Sequence, residues 1–141
     1  MTRLRLLAAV LLLGLARTAL AACTISAVGP SFGIYSPFAT APLDAAGTIT
    51  FSCTSPAMVG MGPGNSGNWR LREMRSGPNR LRYNLYVDAN RTIIWGEPGG
   101  PNGATVGAGQ NQRVPIYGRI PALQDVVPGS YTDTVMLIFH F

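Results

Sequence analysis

The sequence predicts an all-β sandwich, and three observations predict it. Short runs rich in β-branched and aromatic residues recur along the chain, 17 glycines and 11 prolines interrupt it at short intervals, and no stretch holds a long helical period. No internal repeat, low-complexity tract or linker divides the chain. A single domain with one core is the economical reading.

The N-terminal segment stands apart. Arg3 and Arg5 precede the apolar run "LLAAVLLLGLA", and Ala19-Leu20-Ala21 follows it. Basic start, short greasy middle and small-residue end are the order of a cleaved secretory signal. The run is too short for the roughly 20 apolar residues of a bilayer helix, and no later stretch is longer. Residues 1–22 are therefore read as signal peptide and 23–141 as the mature domain, with no membrane span after cleavage.

Each expected strand then follows in order. "CTISA" and "FGIY" open the domain. "GTITFSC" places Ile49, Phe51 and Cys53 on one face. "GNWRLREMRSG" is the one stretch that can turn helically, and its glycine boundaries keep it short. "LRYNLYV" alternates, with Leu81, Tyr83, Leu85 and Val87 on one side and Arg82, Asn84 and Tyr86 on the other. "TIIWG" is short and ends in Trp95, a core residue on this reading. Gly96 to Gln112, "GEPGGPNGATVGAGQNQ", reads as a mobile surface loop. "RVPIYGRI" follows, and "YTDTVMLIFHF" closes the chain.

That last run is apolar on both faces. Tyr131, Val135, Leu137, Phe139 and Phe141 share one side, while Met136 and Ile138 lie on the other. Such a strand belongs inside a sheet with a neighbour on each edge, and the sequence supplies nothing after Phe141 to be the second neighbour.

Charge and chemistry exclude more than they suggest. The net charge is +5, but without Arg3, Arg5 and Arg17 eight arginines face six acids. These arginines are scattered, so no nucleic-acid footprint emerges. His140 is the lone histidine, without companions for catalysis or for a zinc site. "GNSGN" resembles a nucleophile elbow and "GMGPGN" a dinucleotide loop, yet Asn68 and Asn65 stand where each motif needs glycine. The six acids are far apart in sequence. No enzyme, cofactor or metal is expected. Trp69, between a glycine-rich loop and a charged stretch, is a candidate surface contact, with partial burial the competing reading.

Cys23 and Cys53 allow two readings. In an exported chain two cysteines form one disulfide by default. "LAAC" also fits lipid attachment at Cys23, which would leave Cys53 unpaired.

Taken in order, "CTISA…FGIY", "GTITFSC", "RLREM", "LRYNLYVDANRTIIWG", "VPIYGRIPALQDVVPGSYTDTV" and a terminal F-x-F resemble the spore coat protein U domain family. That family includes subunits of archaic chaperone–usher pili, surface fibres of adhesion and biofilm formation. The resemblance implies a single incomplete immunoglobulin-like sandwich of six to seven strands, its final strand missing. A periplasmic chaperone, and then the N-terminal segment of another pilin subunit, would supply that strand, with an outer-membrane usher as a further partner. By position, Val135, Leu137, Phe139 and Phe141 would line one wall of the groove, with Ile25, Phe32 and Ile34 opposite. The cysteines match a bridge tying the first strand to the second.

Such subunits carry a donor segment ahead of the first cysteine. Cleavage before Cys23 would leave none, so a terminal, strand-accepting subunit is expected, exported to the periplasm and then to the cell surface. Two alternatives are a carbohydrate- or surface-binding adhesin module, and a spore or envelope coat protein anchored through Cys23.

Overall fold

A computed structural model describes residues 22–141. The expected signal peptide, Ala22 apart, lies outside the described residues. Among the described residues nine strands form: β1 (Cys23–Val28), β2 (Leu43–Cys53), β3 (Ala57–Met61), β4 (Glu73–Ser76), β5 (Asn79–Arg82), β6 (Asn84–Tyr86), β7 (Ala104–Val106), β8 (Gly109–Ile120) and β9 (Leu137–His140). One sheet has the order β1-β2-β8-β6, a second β7-β3-β9, and β4-β5 is a hairpin. Every pairing between them is antiparallel. No helix among the described residues is long and apolar enough to cross a membrane.

Period-2 alternation builds the core. Ile49, Phe51 and Cys53 of β2 are buried on the face expected for them, as are Leu81, Tyr83 and Leu85. Ile116 and Ile120 of β8 join them, with Val59 and Met61 from the second sheet. Trp95 has no exposed surface and donates its indole N–H to the Val59 carbonyl at 3.0 Å.

Several expected elements are corrected. "FGIY" is not a strand, because the chain leaves the sheet at Val28 and crosses the inner face of its own sandwich. A Cβ on Gly47 would fall on the Val28 carbonyl oxygen and lie 2.8 Å from the Pro30 nitrogen; one on Gly118 would lie 2.6 Å from the Phe32 ring. Two strand glycines thus make room for a strap over residues 28–32, whose Phe32 ring meets Tyr83 edge-on at 6.1 Å.

"LRYNLYV" divides after Arg82, where the chain leaves the β4 hairpin and joins β8. "TIIWG" contributes only an isolated bridge, Tyr86 to Ile94. The stretch able to turn helically supplies, in Glu73–Ser76, the first arm of the hairpin. Gly77, with φ 58°, opens its two-residue loop.

The glycine-rich loop is also more built than expected. It holds β7 and a 3-10 turn at Gly100–Asn102, and Asn102 accepts from Gly96 N–H at 2.6 Å while its side chain donates to the Ile94 carbonyl. The final run is a strand only over Leu137–His140, with one earlier bridge from Thr132 to Arg75.

Arg72 is buried completely and forms no salt bridge among the described residues. Its guanidinium donates to the carbonyls of Met61, Gly62 and Trp95 and to Asn84 Oδ1, at 2.7–2.9 Å. Burial pulls its pKa down to about 10, so it stays charged at neutral pH. Removing it orphans several buried acceptors at once. Arg72→Ala should lower the unfolding free energy by about 3–5 kcal/mol in urea denaturation. Alanine at the strap glycines should cost about 1–3 kcal/mol. Gly47→Ala should be the worse of the two, because it meets backbone rather than a movable ring edge.

Candidate functional site: the open side of the sandwich

The sandwich has two long sides, and only one is closed. Residues 94–96 run along the β6 edge, with Trp95 N–H bonded to the Leu85 carbonyl at 2.8 Å. They then reach β3, where Met61 N–H bonds to the Gly96 carbonyl at 2.7 Å. Since Gly62 N–H points the other way, to the Met136 carbonyl beside β9, Met61 faces the β7 side. The β6 and β7 edges are thus bridged to each other. The β1 and β9 edges, on the opposite side, are not: each pairs with one neighbour only among the described residues.

Burial marks the same opening. In β9, Leu137 stands opposite Met61 and Phe139 opposite Val59. Those β3 partners are 2% and 1% exposed, yet Leu137 and Phe139 are only half-buried. Directly paired residues share a face, so all four point inward and the outer pair lacks cover on one flank. In β1, Ile25 pairs with the buried Phe51 and so also faces inward, but it is 43% exposed. An inward-facing isoleucine left this open borders empty space.

The residues singled out from sequence therefore fall into three groups. Val135, Leu137 and Phe139 pack half-buried against the core, facing the interior that Ile25 faces from the other sheet. Phe32 sits in the strap over Gly118, while Ile34 is 95% exposed and Phe141 is exposed beyond the end of β9. Trp69 is half-buried, its ring against Gly96 and under the Arg70 guanidinium, 4.5 Å from its centroid.

Cys23 and Cys53 are joined in a disulfide at the open end of the β1–β2 ladder. The bridge engages the Cys23 sulfur that lipid attachment would need.

One partner of the opening carried no recognised sequence signal. Asp133 accepts from the Asn65 N–H at 2.7 Å, from the Thr134 N–H and from the Tyr83 hydroxyl at 2.6 Å. It fixes the chain just before β9 to the turn at Gly64–Ser66 and to the core. The bonds from Asn65 and Tyr83 join residues 68 and 50 positions apart, which is why Asp133 was not legible as a partner in the sequence. The strap had a signal, for glycine inside a strand marks close backbone approach.

These features define a class: an immunoglobulin-like β-sandwich with one long side left open between its first and last strands. The chain belongs to the Spore Coat Protein U domain family, whose model matches residues 9–137. It is 32% identical to Protein U of Myxococcus xanthus over 126 residues, covering 79% of this chain and 70% of that protein. Its fold is similar to a chain in the crystal structure of the CsuC-CsuE chaperone-tip adhesion subunit pre-assembly complex from archaic chaperone-usher Csu pili of Acinetobacter baumannii. There the TM-score is 0.56 at 22% identity over 86% of this chain. The match spans two fifths (40%) of that chain's length.

Tyr83 links the opening to pH. Burial first, and then the hydrogen bond to Asp133, raises its pKa well above the ordinary 10.0. The unfolded chain releases this proton near pH 10, whereas the folded chain retains it. The stabilisation is therefore full below that pH and lost as pH rises above it. Urea midpoints should fall above about pH 10, and Tyr83→Phe should make that fall shallower.

Proposed function

We propose that this domain is an exported subunit of a chaperone–usher type surface fibre, which accepts a β-strand from another chain along its open side. The observation that carries the reading is the inward-facing, half-covered row on β9 opposite half-exposed Ile25. An edge strand with apolar side chains and no cover is an aggregation hazard. A guest strand would satisfy its backbone and place alternate side chains in the opening, as in strand addition between pilins and their chaperones.

Covering Ile25, Val135, Leu137 and Phe139 fully is worth on the order of 1 kcal/mol each, given that each is already partly buried. Family membership and the fold shared with a chain of the Csu complex support this reading. A periplasmic chaperone, an usher and other subunits are the partners it calls for, and the cell surface is the destination. A terminal position in the fibre goes with it if processing leaves Cys23 at the mature N-terminus, which mass spectrometry reads directly.

The disulfide-bonded mature domain should bind a synthetic peptide that alternates apolar and polar residues, and its melting temperature should rise. Leu137→Asp and Phe139→Asp should abolish that rise while leaving the disulfide intact. A lone domain that is stable, monomeric and indifferent to both peptide and chaperone would overturn the reading.

A further inference from the structure

The same opening has two rims, and one rim is itself a strand that something must hold. Among the described residues strand β1 has β2 as its one neighbour, and every residue of it except Cys23 is exposed. Its inward row of Cys23, Ile25 and Ala27 stands opposite Cys53, Phe51 and Ile49. That alternation of apolar inward and polar outward (Thr24, Ser26) is also what the half-covered row on β9 lacks across the gap. One six-residue strand therefore suits two places: beside β2 at home, or beside β9 of a second copy.

We infer that the Cys23–Cys53 disulfide is a lock on this choice. Closed, it keeps β1 in its own sheet, where β1 cannot serve another copy. Opened, it frees β1 to fill the open side of a second copy of this chain, and the molecule self-associates.

The opening step balances with a dithiol as reductant. Two electrons and two protons pass to the bridge, giving two cysteine thiols, and the dithiol leaves as its own disulfide.

The chain beyond β1 permits the exchange. Phe32 and Pro30 must lift from Gly118 and Gly47, and the hinge then begins at Gly33, with φ 73°. Residues 33–42 form no strand and include Pro37 and Pro42. Fully extended they span up to roughly 35 Å, against roughly 10 Å between packed sheets. The side-chain hydrogen bonds found on this stretch run through the Tyr35 hydroxyl, to the Pro121 carbonyl and from Gln124 N–H. Exchange of an edge element through such a hinge is a low-cost route to association. The proposal rests on the open-side reading above, and its test separates the two.

Two new cysteines, Ile25→Cys and Phe139→Cys, report where β1 lies. At home β1 and β9 lie in different sheets, and packed sheets stand roughly 10 Å apart, beyond disulfide reach. Placed in a Cys23→Ser, Cys53→Ser background and mildly oxidised, the full mature chain should form covalent dimers and longer ladders on a non-reducing gel. The same pair with the native bridge intact should give at least tenfold less. No ladder, or equal ladders in both backgrounds, overturns the lock.

If the serine background fails to fold by circular dichroism, the parent protein serves instead. Treated with dithiothreitol, it should pass from monomer to oligomer by light scattering, and Ile25→Asp should suppress the change; a reduced parent that stays monomeric overturns the lock. A synthetic peptide of residues 23–32 with Cys23→Ser, offered to the oxidised domain beside the alternating peptide, separates the two readings. Binding of the alternating peptide without self-association rejects the lock alone, and failure of both peptides rejects the open side itself.

Discussion

The architecture depends on one buried cation. The Arg72 guanidinium has no exposed surface, and carbonyls and an amide rather than a carboxylate take its hydrogen bonds. An arginine suits this role because its planar fork can reach several acceptors at once. The acceptors belong to the end of β3, to β6 and to Trp95, so a single side chain ties the two sheets together along their closed side. Desolvating a charge is expensive, and that expense goes into fixing one edge. The opposite edge has no such clamp among the described residues.

The asymmetry gives the open side its character. Strand β9 is held at its start, where Asp133 reaches the Gly64–Ser66 turn and Tyr83, and along one flank by β3. Its inward side chains are therefore positioned before anything covers them. The strap of residues 28–32 and the disulfide occupy the two ends of the first sheet's inner face, which confines the gap to the space between β1 and β9. An opening so bounded takes a strand more readily than a compact ligand, because its unmet needs are a row of backbone groups and a row of half-covered apolar side chains.

Where the sequence misled, tertiary neighbours decided the outcome. Strand β3, "AMVGM", lies in a glycine- and proline-rich region with little alternation, and it becomes a strand because β7 and β9 flank it. Strand β7 includes the β-branched Thr105 and Val106, but at three residues it is too short to stand out from the glycines around it, and it pairs with β3 inside what reads as a loop. "FGIY" has strand composition, yet Gly47 and Gly118 admit the backbone before it across the sheet, and it follows that strap instead. The hairpin of β4 and β5 was marked by Gly77-Pro78, a two-residue turn that outweighs the weak helical pattern around it.

The sequence by itself determined the all-β class, the burial phase of "GTITFSC", the burial of Leu81, Tyr83 and Leu85 (though not that of Asn84, expected on the outer side), the core position of Trp95 and the apolar face of the final strand. These are local properties, set by period-2 alternation and by which side chains water excludes. Tertiary structure decided which edges pair, where Arg72 finds its acceptors, that Phe32 lies in a strap rather than at the gap, and that Ile34 stays in solvent. Each of these joins residues distant along the chain, and a hydrogen bond or close approach between such residues leaves no periodic trace in the sequence that encodes it.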